Sequence, residues 1–183
     1  MVISLFRPSG TREAAERAYR QIVDHARAPE FFTQCGVPDT IDGRFELICL
    51  HAFLLLHRIR GEGSAADTFG QEFFDAMFAD MDRSLREMGT GDLGVGRQVQ
   101  RMAQSFYGRI RAYQQGLAGD DAVLSAALAR NLYGTVPETK PFADAMAGYV
   151  RREAAELQRR ASAGLLAGQV RFGPAPGARG PDE

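Results

Sequence analysis

The stretch GTGDLGVG (89–96) crowds four glycines into eight positions, and Gly89, Gly91 and Gly94 share the G-x-G-x-x-G spacing of a dinucleotide-phosphate turn. That chemistry needs a strand to deliver the chain to the turn and a helix N-terminus to receive the pyrophosphate. The residues before Gly89 carry helical period instead, and no Walker lysine follows. The stretch therefore reads as glycines that end one helix, with Asp92 capping the next. Asp75, Asp80, Asp82 and Glu87 raise a second possibility, an acidic metal site. At about 100° per residue Asp75 and Asp82 share a face but Asp80 does not. Arg83 and Arg86 interleave with them, as on a solvated helix face.

Three histidines complete the candidate chemistry: His25, His51 and His57. His51 and His57 are six apart, about 120° around a helix, so they cannot ligate one centre together. One of them as a haem ligand, in a haem- or small-molecule-binding helical protein, is the alternative reading of the chain. Cys35 and Cys49 fit neither a zinc nor a redox spacing. No Ser-His-Asp or Cys-His arrangement is visible in local sequence. The residues point to no catalysis, no metal and no cofactor.

The elements that must carry these residues are helical throughout. Ala15, Ala18, Tyr19, Ile22, Val23 and Ala26 follow i, i+3, i+4, i+7 spacing. A turn of helix ends at Gly36, and Thr40 or Asp42 caps a helix from about Arg44 to Arg60. Ser64 and Asp67 resemble a capping box opening the longest helix. Its stripe is Phe69, Phe73, Met77, Met81, Leu85 and Met88, widened by Phe74 and Phe78. Val99, Met102, Phe106, Ile110 and Tyr113 form the next stripe, with Phe106 and Tyr107 assigned to the core. Asp120 or Asp121 caps a further helix that Gly134 ends, and a last amphipathic helix carries Phe142, Met146, Tyr149, Val150 and Leu157. The expectation is an all-α protein: one compact bundle of six to seven helices over 11–168, with a flexible segment at 1–10. RFGPAPGARGPDE is too poor in apolar residues to fold, so 169–183 is expected to be a disordered tail.

The 183 residues are 45% hydrophobic with a net charge of −1, an ordinary globular composition that gives no reason to expect nucleic-acid binding. The most apolar run, LICLHAFLLLH (47–57), is about half the 20 residues needed to cross a bilayer. MVISLFRPSG has no signal-peptide pattern, so a cytoplasmic protein is expected, with marginal lipid docking by MVISLF at most.

Composition and period stop there; longer segments go further. FADMDRSLREMGTGDLGVGRQVQRM (78–102), SFYGRIRAYQQGLAGDDAVLSAALARNLYG (105–134) and PEFFTQCGVPDTIDGRFELICLHAFLLLHRIR (29–60) resemble the ubiquinol-cytochrome c chaperone family. The resemblance spans roughly residues 10–155 and looks most like bacterial members. It implies an assembly factor for the cytochrome bc1 complex (complex III), not an enzyme, whose client is newly made cytochrome b or another bc1 subunit. In mitochondrial members the resemblance brings a small partner protein and, in yeast, the ribosome. The expected location is the inner face of the cytoplasmic membrane, with peripheral association. Arg97 stands where the family more often carries Lys, so the charge is kept. The expected partner surface is Arg83, Arg86, Glu87, Gly89, Gly91, Asp92, Leu93, Val95, Gly96 and Arg97. There, charge and two apolar side chains share a flexible connection. A groove of aromatic and Met side chains, Phe73, Phe74, Met77, Phe78, Met81, Met88 and Met102, is the second candidate surface.

Overall fold

A computed structural model describes residues 9–87, 89, 92–134, 136 and 139–177, with the side chains of Ser9, Asp92 and Leu93 left undescribed. Among these there is no strand; eight helices form an all-α fold. They are α1 (Ser9–Ala26), α2 (Glu30–Thr33), α3 (Ile41–Ile59), α4 (Ser64–Glu87), α5 (Asp92–Ala118), α6 (Asp121–Asn131), α7 (Lys140–Arg159) and α8 (Ser162–Leu166). The count exceeds the expected six or seven through the short α8, and α5 at 27 residues is longer than α4 at 24.

α3 is the central helix, packed by α1, α4, α5, α7 and α8, while α6 closes the outside between α5 and α7. Leu47, Cys49, Leu50, Ala52, Phe53, Leu54 and Leu55 are all buried, so α3 loses its polar face. That is what a helix surrounded on most sides requires. Its start is set by Thr40, whose hydroxyl accepts from the Gly43 N–H at 3.1 Å. Gly43 is obligatory, because a Cβ there would lie 2.0 Å from the Pro38 carbonyl oxygen. Asp120 caps α6 in the same way, accepting from the Val123 N–H at 3.0 Å.

The α4 stripe is core at Phe69, Phe73, Met77 and Met81, and Phe106 on α5 is fully buried. Tyr107 is not core. It is 56% exposed, because α5 is covered by α3, α4 and α6 but open on the flank where Tyr107 projects. Burial of Phe73, Met77 and Met81 also removes them from any surface groove; Met88 lies outside the described residues.

The C-terminal expectation needs correction. Residues 169–177 lie across α1, α3 and α7 as an extended strap, with Val170 and Ala175 buried. The strap's backbone is satisfied by side chains of the helices. The Val170 N–H donates to Gln21 Oε1 at 2.8 Å, and the Gly173 N–H to Glu153 Oε2 at 2.8 Å. Arg152 and Arg160 donate to the Pro174 and Arg171 carbonyls, both at 2.6 Å. Residues 1–8 and 178–183, which include most of the expected flexible N-terminal segment, lie outside the described residues.

Candidate functional site

The glycine segment joins two helices. α4 ends at Glu87, the Gly89 N–H returns to the Arg86 carbonyl at 3.0 Å, and α5 begins at Asp92. Gly89 has φ of +83°, the left-handed backbone that glycine adopts without steric penalty. Gly94 and Gly96 already belong to α5, so less of this segment is loop than its composition suggests. No strand precedes it, which removes the dinucleotide geometry. Gly96 is exposed with open space where a Cβ would go. Gly96→Ala should therefore raise stability by roughly 0.5–1 kcal/mol, read by thermal denaturation. A fall instead would mean that this end of α5 is not helical in solution.

The expected partner patch is partly assembled. Arg83, Arg86, Glu87, Gly89, Gly96 and Arg97 are exposed, but Val95 is completely buried and anchors α5 to the core. The flexible-loop picture failed at Val95 because helical phase, not loop geometry, sets its direction. Gly91 and the side chains of Asp92 and Leu93 lie outside the described residues. Arg83 pairs with Asp80, and Arg86 Nε donates to Asp82 at 2.6 Å, so these two carboxylates of the acidic run are paired along their own helix. Tyr19 adds a hydrogen bond to Asp80 at 2.9 Å.

Beside this patch runs a groove of about 640 Å³ that connects elements far apart in sequence. It is bounded by Pro38 and Thr40 before α3 and residues at its start such as Ile41 and Glu46, by Gln98, Met102 and Arg109 on α5, by Arg130 and Asn131 at the end of α6 with Tyr133 and Val136 beyond it, and by Leu85 of α4. Its apolar rim includes Ile41 and Val136, 65% and 41% exposed, two of the few large hydrophobic side chains in water. Phe45, Leu85 and Met102 continue the lining. Met102 is the one residue here that the Phe and Met stripe had suggested as a groove. Across the floor, Arg109 grips both carboxylate oxygens of Glu46 through Nε and a terminal nitrogen. Burial pushes the Glu46 carboxyl above its usual range, against the opposing pull of Arg109. Arg109 also sits over the Phe45 ring at 5.9 Å. Leu85, two residues before Glu87 on α4, and Gln98, next to Arg97 on α5, are the lining residues closest in sequence to the expected patch.

The ubiquinol-cytochrome C chaperone profile matches residues 33–172, about three-quarters of the chain. The chain belongs to that family. It is 30% identical over 140 residues to the ubiquinol-cytochrome-c reductase complex assembly factor 1 of Xenopus laevis, covering 76% of this chain and 70% of that protein. The mouse protein of the same name is 30% identical over 162 residues, and the chain spans only 55% of its length. A crystal structure of the Cbp3 homolog from Brucella abortus has a TM-score of 0.82 and 39% identity, with 93% of this chain and 95% of that one covered. The segment typical of the family thus opens at the end of α2 and closes inside the strap, taking in the whole groove.

Two of the three histidines, His25 and His51, are partnered in a way that opposes a haem role for His51. His51 is fully buried; its Nδ1 lies 2.7 Å from the Leu47 carbonyl, and its Nε2 lies 2.7 Å from the Tyr149 hydroxyl. A carbonyl only accepts, so Nδ1 carries the proton, Nε2 accepts from the Tyr149 O–H, and the phenolic oxygen accepts from His25 Nε2 at 2.9 Å. Both His51 nitrogens are engaged, leaving neither free for an axial ligand bond. Burial, with His25 adjacent, lowers the His51 pKa to about 3. No group of three or more His, Cys, Asp or Glu could hold a metal among the described residues. No helix among them is long and apolar enough to cross a membrane.

Proposed function

We propose that the protein is an assembly chaperone of the cytochrome bc1 complex. It holds an apolar segment of newly made cytochrome b along the α3–α5–α6 groove. The carrying observation is the groove itself: exposed Ile41 and Val136 flank an ion-paired floor. Such a lining suits a client that must be shielded from water and later released, since apolar contact is non-directional and Met102 adapts its shape. Exposed Arg83, Arg86 and Arg97 would receive the polar ends of the segment or a small partner protein. Work at the inner face of the cytoplasmic membrane fits a client that inserts there.

Deleting the gene should lower assembled bc1 complex and cytochrome b together, measured by native electrophoresis and haem spectra. A photo-crosslinker at Ile41, Val136 or Arg97 should capture cytochrome b, whereas one at exposed Arg12 on α1 should not. Ile41→Glu should leave the melting temperature unchanged and weaken client capture at least tenfold. Normal bc1 yield in the deletion strain would overturn the assembly role. Equal crosslinking from Arg12 would overturn the groove.

A further inference from the structure

On a different flank, where Tyr107 projects, α3, α4 and α5 leave a cleft of about 320 Å³, at the lower end of the size range of small-ligand sites. One wall is α3, with Phe53 and His57 tilted at 30° and ring centroids 5.4 Å apart. The other is Phe74 of α4 stacked on Tyr107 of α5, 5.8 Å apart at 22°. Two aromatic pairs on facing helices suit a flat group between them. The cleft's charge is one-sided: Arg60 and Arg111 line it, no acidic side chain does, and neither arginine has an ion pair among the described residues. His57 contributes a polar atom without a partner, its Nδ1, which is shut off from water. Burial and the nearby Arg60 both lower the His57 pKa, and an anion in the cleft would offset the second effect.

We infer that this cleft is a binding site for a small aromatic anion: a planar ring system carrying one carboxylate or sulfonate. The ring lies between the α3 wall and the Phe74–Tyr107 stack, and the anionic group meets Arg60 and Arg111. The site shares no lining residue with the α3–α5–α6 groove and stands independently of the client proposal.

The probe is 8-anilinonaphthalene-1-sulfonate, titrated by fluorescence against the full chain. One saturable site is expected, with a blue-shifted emission that benzoate displaces. Tyr107→Ser and Arg111→Gln, both at exposed positions, should each weaken binding at least fivefold with unchanged thermal melts. Uncharged N-phenyl-1-naphthylamine should bind at least tenfold more weakly than the sulfonate. Ile41→Glu, in the groove, should leave the titration unchanged. The assignment is overturned by wild-type affinity in both cleft variants, by equal binding of the uncharged probe, by loss of binding in Ile41→Glu, or by no saturable binding.

Discussion

Arg109→Met should destabilise the protein by about 3–5 kcal/mol at neutral pH, the cost of leaving a buried carboxylate without its partner. The Glu46 side chain is only 9% exposed, and the guanidinium is its one cationic partner among the described residues. With Arg109 gone, only the influences that raise the Glu46 pKa remain: burial first, then Asp42. A carboxyl whose folded pKa lies above its unfolded value binds more protons in the folded state. Its stabilising contribution is therefore present in acid and lost as pH rises through the folded pKa. The variant should accordingly recover part of its stability between pH 7.5 and pH 5, where Glu46 can be buried neutral. Urea unfolding at the two pH values measures this. The double variant Glu46→Gln, Arg109→Met should sit closer to wild type than Arg109→Met alone. A loss below about 1 kcal/mol, or one independent of pH, would show that water reaches the pair and that the groove floor is wet.

Much of the scaffold was legible because its signals are local. Thr40 and Asp120 are side chains whose oxygens can reach an N–H three residues on, and each is the member of its candidate pair, over Asp42 and Asp121, that caps the helix. The 3.6-residue stripes through Phe69, Phe73 and Met77 survive because one face of α4 must leave water. Tyr107 failed for the complementary reason. Adjacent Phe106 is fully buried, and a step of about 100° per residue carries Tyr107 off the buried face. The groove was illegible beyond Met102, because Ile41, Arg109 and Val136 come from three separate segments that only the packing of α3, α5 and α6 brings together. The strap was illegible through composition. Its prolines and glycines signal disorder, whereas its order comes from Gln21, Arg152, Glu153 and Arg160 on distant helices, which supply the hydrogen bonds that the extended backbone cannot make to itself.

That dependence makes the strap the second sensitive element. Ending the chain after Gly168 should cost about 3–5 kcal/mol, from the loss of the apolar surface that Val170 and Phe172 bury against the helices together with the lost hydrogen bonds. Glu153, itself 1% exposed, would lose the Gly173 N–H. Phe172 covers the paired imidazoles, with its ring 4.8 Å from His51 and 5.4 Å from His25, so its removal admits water to the His25–Tyr149–His51 chain. In the intact protein His51 is held neutral with its pKa near 3, below the unfolded value. Its contribution is present above about pH 6.5 and is lost as pH falls, at up to about 1.4 kcal/mol per unit. Once solvated, His51 should titrate nearer its ordinary imidazole range, and the cost of truncation should shrink in acid because the folded state no longer resists protonation there. Long-range nitrogen–proton NMR of the imidazoles reads this directly. The full chain should show a neutral, Nδ1-protonated His51 down to pH 4, and the truncated chain a shifting one. If the truncated protein melts at the wild-type temperature with His51 still silent, residues 169–177 do not hold the pocket shut, and the helices alone exclude water from it.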